Sequence, residues 1–236
     1  MKKIQKAISH MRNSEVAGLT QEILLDFSDD LLAADGRLNR IVASIQMRLG
    51  KLIEAISRNK AESELEELDN KRDKLYSSIR NMVSAYQMHP DQGIANAAKQ
   101  VDAIIDNYGS ELNNLGFSAQ SAQLKSYFAD FKKPEISASI AMLPTVGDMV
   151  TALETQEDEF ITSQHNYKDA INKVEQNSNA SALKKELVAE LNNKLIPYLR
   201  LVQAMDDADF MEPCEKIANK VSAANNVVKQ RSIKLN

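Results

Sequence analysis

Leu31, Leu38, Ile45 and Leu52 recur every seven residues, with Ile41, Leu49 and Ile56 in the intermediate positions and Arg48 interrupting the seam. A strand turns its side chains over at every second residue and cannot keep that set on one face. A helix packed lengthwise on another helix can. The spacing returns 122 residues later in Leu153, Phe160, Tyr167 and Val174. A second pair agrees: KLYSSIRNMV (residues 74–83) and KLIPYLRLVQ (residues 194–203) share Lys74/Lys194, Leu75/Leu195 and Arg80/Arg200 at an offset of 120. The two-residue change falls between polar stretches at 59–63 and 177–181, read here as turns, where length changes are tolerated. These spacings predict an all-α protein of about seven helices. Its plan is a tandem repeat of two three-helix units with long antiparallel helical hairpins.

The remaining signals fit that plan. Residues 1–13 are basic and ambiguous, with an extended course one of the readings left open, and Ser14 can cap a short helix through about Phe27. After the first turn, where Ser63 and Glu66 form a capping-box pattern, Leu65, Leu68, Leu75, Ile79, Met82 and Tyr86 make the next apolar face, with Arg72 as its exception. His89-Pro90-Asp91 stops this helix, and another over about 91–108 buries Ile94, Ala97, Val101, Ile104 and Tyr108 before Gly109. Residues 111–147, with two prolines and an apolar group at Leu124, Tyr127, Phe128 and Phe131, read as a packed connector. The expected domains are therefore 1–110, 111–147 and 148–236, able to pack as one compact body. Pro197, inside a helix, should kink it. Residues 37–60 hold six bases against one acid and residues 61–75 six acids against three bases, which would attract across the first hairpin.

Seven glycines, five prolines, 43% hydrophobic and 26% charged residues describe a globular helical chain. A formal charge of −4 supplies no global field for nucleic acid or anionic lipid. The single cysteine, Cys214, excludes an internal disulfide and reads as a buried apolar residue. No window approaches the ~18 apolar residues of a membrane span, and MKKIQKAISHMR lacks a continuous apolar core, so a soluble cytoplasmic protein is expected. The residues three before His10, His89 and His165 are Ala7, Tyr86 and Thr162, so the Glu-x-x-His of a di-iron bundle is missing. Glu157-Asp158-Glu159 reads as a solvated helix face, and Asp206-Asp207-Ala208-Asp209 lacks the glycine and glutamate of a calcium loop. No catalytic residue, cofactor or metal is expected. The interaction candidates are Arg80, Arg200 and Tyr198. The expected function is that of a non-catalytic scaffold or interaction protein, with a protein partner or a second copy and without nucleic acid or membrane. The alternative is a small-ligand binder or enzyme with a pocket between the two helical units.

The opening KKIQKAISHMRNSE with its Met11-Arg12-Asn13, the DNYG at 106–109 and the stretch KKPEISASIAMLPTVGDMVTALETQEDEF together resemble an uncharacterised all-helical family from gut anaerobic bacteria. The chain departs from that pattern at Val16-Ala17 and at Leu143-Pro144-Thr145, as a divergent member would. The resemblance implies helix throughout. It implies no activity, ligand or catalytic residue.

Overall fold

The computed structural model describes residues 3–172 and 179–234. Among them there are helices and no strands. In chain order these are α1 (Asn13–Leu24), α2 (Asp29–Ala34), α3 (Gly36–Tyr86), α4 (Gln92–Tyr108), a 3-10 turn (Ser110–Asn114), α5 (Phe117–Phe131), α6 (Pro134–Ala141), α7 (Val146–Asn172), α8 (Ala180–Glu190), α9 (Ile196–Ala204) and α10 (Ala208–Lys234). A π-helical turn, Leu191–Leu195, joins α8 to α9. With α8 and α9 counted as one, the described residues form nine helices rather than about seven.

The heptad seam is real but begins later than expected. Asp35 leaves the helical region (φ −119°, ψ 91°), and its Oδ1 accepts from the N–H groups of Arg37 and Leu38, both at 2.9 Å. It therefore ends α2 and caps α3. Leu31 is left half-buried on α2, while Leu38, Val42, Ile45, Leu49 and Leu52 are buried along α3. At the N-terminus Arg12, not Ser14, is the cap residue of α1: Glu15 Oε2 reaches back to the Arg12 N–H at 2.6 Å.

The expected hairpin at 59–63 is absent, because α3 runs through it for 51 residues. Neither glycine nor proline occurs between Lys51 and His89, and Ser57 to Glu64 offers Arg, Lys, Ala and Glu, which favour helix. Polarity there reflects exposure rather than a turn. The Ser63–Glu66 capping pattern lies unused inside the helix. Without a reversal, the basic and acidic halves of α3 do not fold back on each other, and Arg48 instead meets Glu186 of α8 at 2.8 Å. The second expected turn, at 177–181, begins outside the described residues, as does Val174.

Packing divides the chain into two units, Met1–Lys60 with Ala170–Asn236, and Ala61–Asp169, a partition other than 1–110, 111–147 and 148–236. In the first unit α1, the first half of α3, the α8–α9 stretch and α10 enclose Val16, Ile23, Ile45, Leu187, Leu195, Cys214 and Val221. Cys214 is fully buried, and burial pushes its thiol up to about 11. In the second unit the remainder of α3 packs with α4, α5, α6 and α7. Residues 111–147 supply Leu124, Tyr127, Phe128, Phe131 and Val146 to that core. Tyr127 is surrounded by Tyr76, Tyr108 and Phe131 at ring-centroid distances of 5.7, 5.4 and 4.1 Å. The α4 boundaries are those expected: Asp91 caps Gly93 and Ile94, and Gly109 adopts φ 68° at the stop.

The continuity of α3 is directly measurable. Spin labels at the exposed positions Lys51 and Lys71 stand twenty residues apart, about 30 Å in an unbroken helix at 1.5 Å per residue. Electron–electron dipolar spectroscopy should return that distance, whereas a reversal at 59–63 would bring the labels to roughly 10 Å, the spacing of packed helices.

Candidate functional site

Residues 3–8 of the first unit form no helix, yet Ile4, Ala7 and Met11 are buried at 0, 5 and 1% exposure. Lys3, Gln5, Lys6, Ser9 and His10 face outward. A helix satisfies its own peptide groups, but an open segment lying against a core must find other partners. Here the partners are side chains. Asn192 Oδ1 accepts from the Ala7 N–H at 2.8 Å, and its Nδ2 donates to the Ala7 carbonyl at 2.9 Å. Asn225, 2% exposed, takes the other halves of the same two peptide groups: it accepts from the Ile8 N–H at 3.0 Å and donates to the Lys6 carbonyl at 2.9 Å. Arg200 donates through Nε (2.9 Å) and Nη2 (2.6 Å) to the Ile4 carbonyl. Arg231 reaches the His10 carbonyl at 3.1 Å and Lys184 the Met11 carbonyl at 3.0 Å. The one main-chain bond within the segment, Met11 N–H to Ile8 carbonyl at 3.3 Å, closes a turn.

The wall on the α8–α9 side owes its shape to Pro197. Lacking an N–H, Pro197 leaves the Asn193 carbonyl without its usual donor. The preceding turn widens, with the Ile196 N–H reaching back five residues to the Leu191 carbonyl. The expected kink is thus a π-turn. Steps of four residues drift by ~40° in an α-helix, and a wider turn takes up that drift. Leu187, Leu191, Leu195 and Leu199 therefore all remain buried while Asn192, within the wide turn, is half-buried and meets Ala7.

Of the residues singled out in the sequence, Arg200 belongs to this groove. Tyr198, two residues earlier, donates its hydroxyl to Asp35 Oδ2 and lies under the Arg37 guanidinium, 5.8 Å from its ring centroid. Burial and then the Asp35 hydrogen bond push the Tyr198 hydroxyl up to about 12. Arg80 lies in the other unit, half-buried near Tyr76, and so has different surroundings from Arg200 despite the aligned sequence. Asn192, Asn225, Lys184 and Arg231 were not anticipated. Asn225 did carry a signal: it stands four after Val221 and three before Val228, a polar residue on an apolar seam.

The carboxylates around the groove are held ionised. Burial would raise Glu190, but hydrogen bonds from Lys194 (2.8 Å) and Ser44 (2.7 Å) and the charge of Arg48 bring it below the ordinary carboxylate range. Glu15, bonded to the Arg12 N–H and to Arg231 at 2.6 Å, is likewise lowered against its burial. Both are stronger acids folded than unfolded. Their contribution is complete above the usual carboxylate pKa of about 4.3 and is lost as pH falls through the lowered values. Thermal melts from pH 6 to pH 3 should show the wild-type midpoint falling, with Glu190→Gln less stable at pH 6 and flatter across the acid range.

The second unit holds a buried ion cluster. Arg72, 0% exposed, donates to Glu157 Oε2 and Asp69 Oδ1 (both 2.7 Å), to Gln120 Oε1 and to Ser121 Oγ (3.2 Å). Its guanidinium lies 3.8 Å from the Phe160 ring centroid. Glu157, expected on a solvated face, is 4% exposed because it answers this charge. Such a pair stabilises chiefly against its own disruption. Arg72→Met should cost about 3–5 kcal/mol in urea unfolding by stranding Glu157, and Arg72→Met with Glu157→Met should recover much of that loss.

No group of three or more His, Cys, Asp or Glu side chains among the described residues is placed to hold a metal ion. No single helix among them is long and apolar enough to cross a membrane. One bent pair, α6 with α7, is apolar enough together but turns by 120° and buries Ile136, Val146, Leu153 and Phe160. No curated protein and no solved structure matches the chain. A family model described as a family of unknown function, DUF6261, matches residues 62–224, which takes in α4 to α9, most of α10 and, among the groove residues, Lys184, Asn192 and Arg200. With well over half of its length inside that match, the chain belongs to the DUF6261 family of unknown function.

Proposed function

We propose that this protein is a non-catalytic interaction protein whose first unit holds an open peptide main chain in the groove between the α8–α9 stretch and α10. The resident occupant is the chain's own residues 3–12. The observation that supports the reading is the pairing of Asn192 and Asn225 with successive peptide groups of residues 6–8, each amide both donating and accepting. Side-chain amides used in this way recognise main chain, whatever side chains it carries. Ile4, Ala7 and Met11, with Ile8 partly buried beside them, then set the register. Recognition by main-chain hydrogen bonds with pockets for alternate side chains is a general mode of peptide capture. A cytoplasmic setting in a gut anaerobic bacterium, with a protein partner or a second copy, completes the reading.

The test uses the full chain with Ile4→Asp and Met11→Asp, which weaken the resident segment without touching the walls. A labelled peptide of residues 1–12 should bind this variant saturably in fluorescence anisotropy. Adding Asn192→Ala and Asn225→Ala should weaken it at least tenfold, since each removes two hydrogen bonds of about 1 kcal/mol. A variant that keeps its helical circular dichroism and fails to bind the peptide would overturn the proposal.

A further inference from the structure

We infer that the groove also takes residues 3–8 of a second copy, so that two chains exchange their N-terminal segments reciprocally. The inference rests on the peptide-holding reading above. Three observations carry it. The segment's polar contacts are made by the walls' side chains, Asn192, Arg200 and Asn225, and these meet identical atoms in another copy. The segment is joined to α1 through a turn closed by a single main-chain bond, Met11 to Ile8, followed by Arg12 in extended conformation (φ −68°, ψ 161°). Beyond that point α1 is held independently by its own buried Val16, Leu19 and Ile23.

Opening the turn therefore frees the segment and leaves α1 in place. Reciprocal exchange refills both grooves and closes a two-fold dimer, preserving every contact across the walls. What changes is the hinge and the cost of association. In the closed monomer the tether holds the segment at an effective concentration of about millimolar, so the state of the turn decides which form prevails.

His10 occupies the third position of the turn, where proline is disfavoured, and a proline there also drives Ser9 out of the helical region. His10→Pro thus opens the hinge while keeping the carbonyl that Arg231 holds. The full chain with His10→Pro is compared with wild type by light scattering. An equal mixture of isotope-labelled and unlabelled copies, each carrying a photo-crosslinking residue at Gln5, reports which α10 the segment touches; Gln5 Oε1 lies 3.4 Å from Asn225 Nδ2. The expected result is a mass of twice 26.3 kDa for His10→Pro, with mixed-label crosslinks making up about half of the total. The wild-type chain at about 1 mM forms the second arm, giving the same mixed crosslinks at lower yield whether or not the variant folds. Crosslinks confined to single chains in both arms overturn the exchange. If they do so while the 1–12 peptide still binds the Ile4→Asp, Met11→Asp chain, exchange fails and the groove reading stands. If the peptide does not bind either, both fail.

Discussion

A buried peptide group outside a helix or sheet has no built-in partner, and leaving it unmatched costs about 1–3 kcal/mol. Residues 4–11 impose that condition on the whole first unit. Meeting it requires polar side chains on helices that otherwise present only apolar surface, at positions fixed to within hydrogen-bond reach. Asn192 meets it from the wide turn ahead of Pro197, and Asn225 from the middle of the α10 seam. Arg200, Arg231 and Lys184 supply the remaining donors to carbonyls. The apolar anchors Ile4 and Met11 each contribute roughly 1.5–3 kcal/mol by burial, and each hydrogen bond a net of about 0.5–1.5 kcal/mol. Over the eight hydrogen bonds from the walls to this main chain, the polar contribution is at least as large as that of the two anchors. The amides decide which register and which course of main chain can occupy the groove.

The second unit solves the opposite problem. Its peptide groups are largely taken up inside helices, and what must be matched is a charge. Arg72 falls where the α3 face between Leu65 and Tyr76 would call for an apolar residue, and it gathers Asp69, Glu157, Gln120 and Ser121 around itself. Two atoms, Arg72 Nε and Glu157 Oε1, remain without a protein partner there, as does the Tyr127 hydroxyl within its ring of aromatics. A core that carries such costs is specified by the geometry of its polar members as much as by area. The first unit fixes the position of a segment with neutral amides; the second fixes the packing of α3, α5 and α7 with an ion.

How much of this could be read from the sequence follows from which interactions are periodic. The α3 seam and the start and stop of α4 are local: apolar residues at helical spacing, Asp91 as cap, Gly109 as terminator. Those were legible. The hairpin at 59–63 was misread because a polar run marks exposure, and exposure is common to turns and to helix surfaces. Only glycine or proline would have argued for a turn, and neither is there. Arg48, Arg72 and Asn225 all interrupt apolar seams, and in the sequence each reads as a defect. In the structure each is a connection, because a helix position that faces the core keeps a polar residue when something across from it needs a partner. Glu157 was lost for the complementary reason: beside Asp158 and Glu159 it looks like any acidic surface run, and only the place of Arg72 distinguishes it. The aligned pair Arg80 and Arg200 shows the limit of matching helices by sequence, since their partners come from elements outside the alignment.

The selectivity of the groove follows from which atoms it uses. Both asparagines accept a main-chain N–H, at positions 7 and 8, so proline cannot occupy either place without leaving an amide oxygen of the wall unmatched. Ala7 is 5% exposed, with both asparagines bonded to the peptide groups on either side of it, so a larger side chain there has to displace its neighbours. Ile4 and Met11, three residues before and four residues after Ala7, tolerate exchange among aliphatic residues of similar volume far better than they tolerate charge. Of the intervening residues, Lys6, Ser9 and His10 face outward, exposed Gln5 accepts from Asn225 Nδ2 at 3.4 Å, and Ile8 is partly buried against the core. The cations Lys184, Arg200 and Arg231 all point donors at carbonyls, so an occupant gains from every carbonyl it presents there and needs no acidic side chain to be held. A segment of the form aliphatic, two outward positions, small, partly buried aliphatic, two outward positions, methionine or aliphatic, with free N–H groups at its centre, meets all of these conditions, and residues 4–11 of this chain are one such segment.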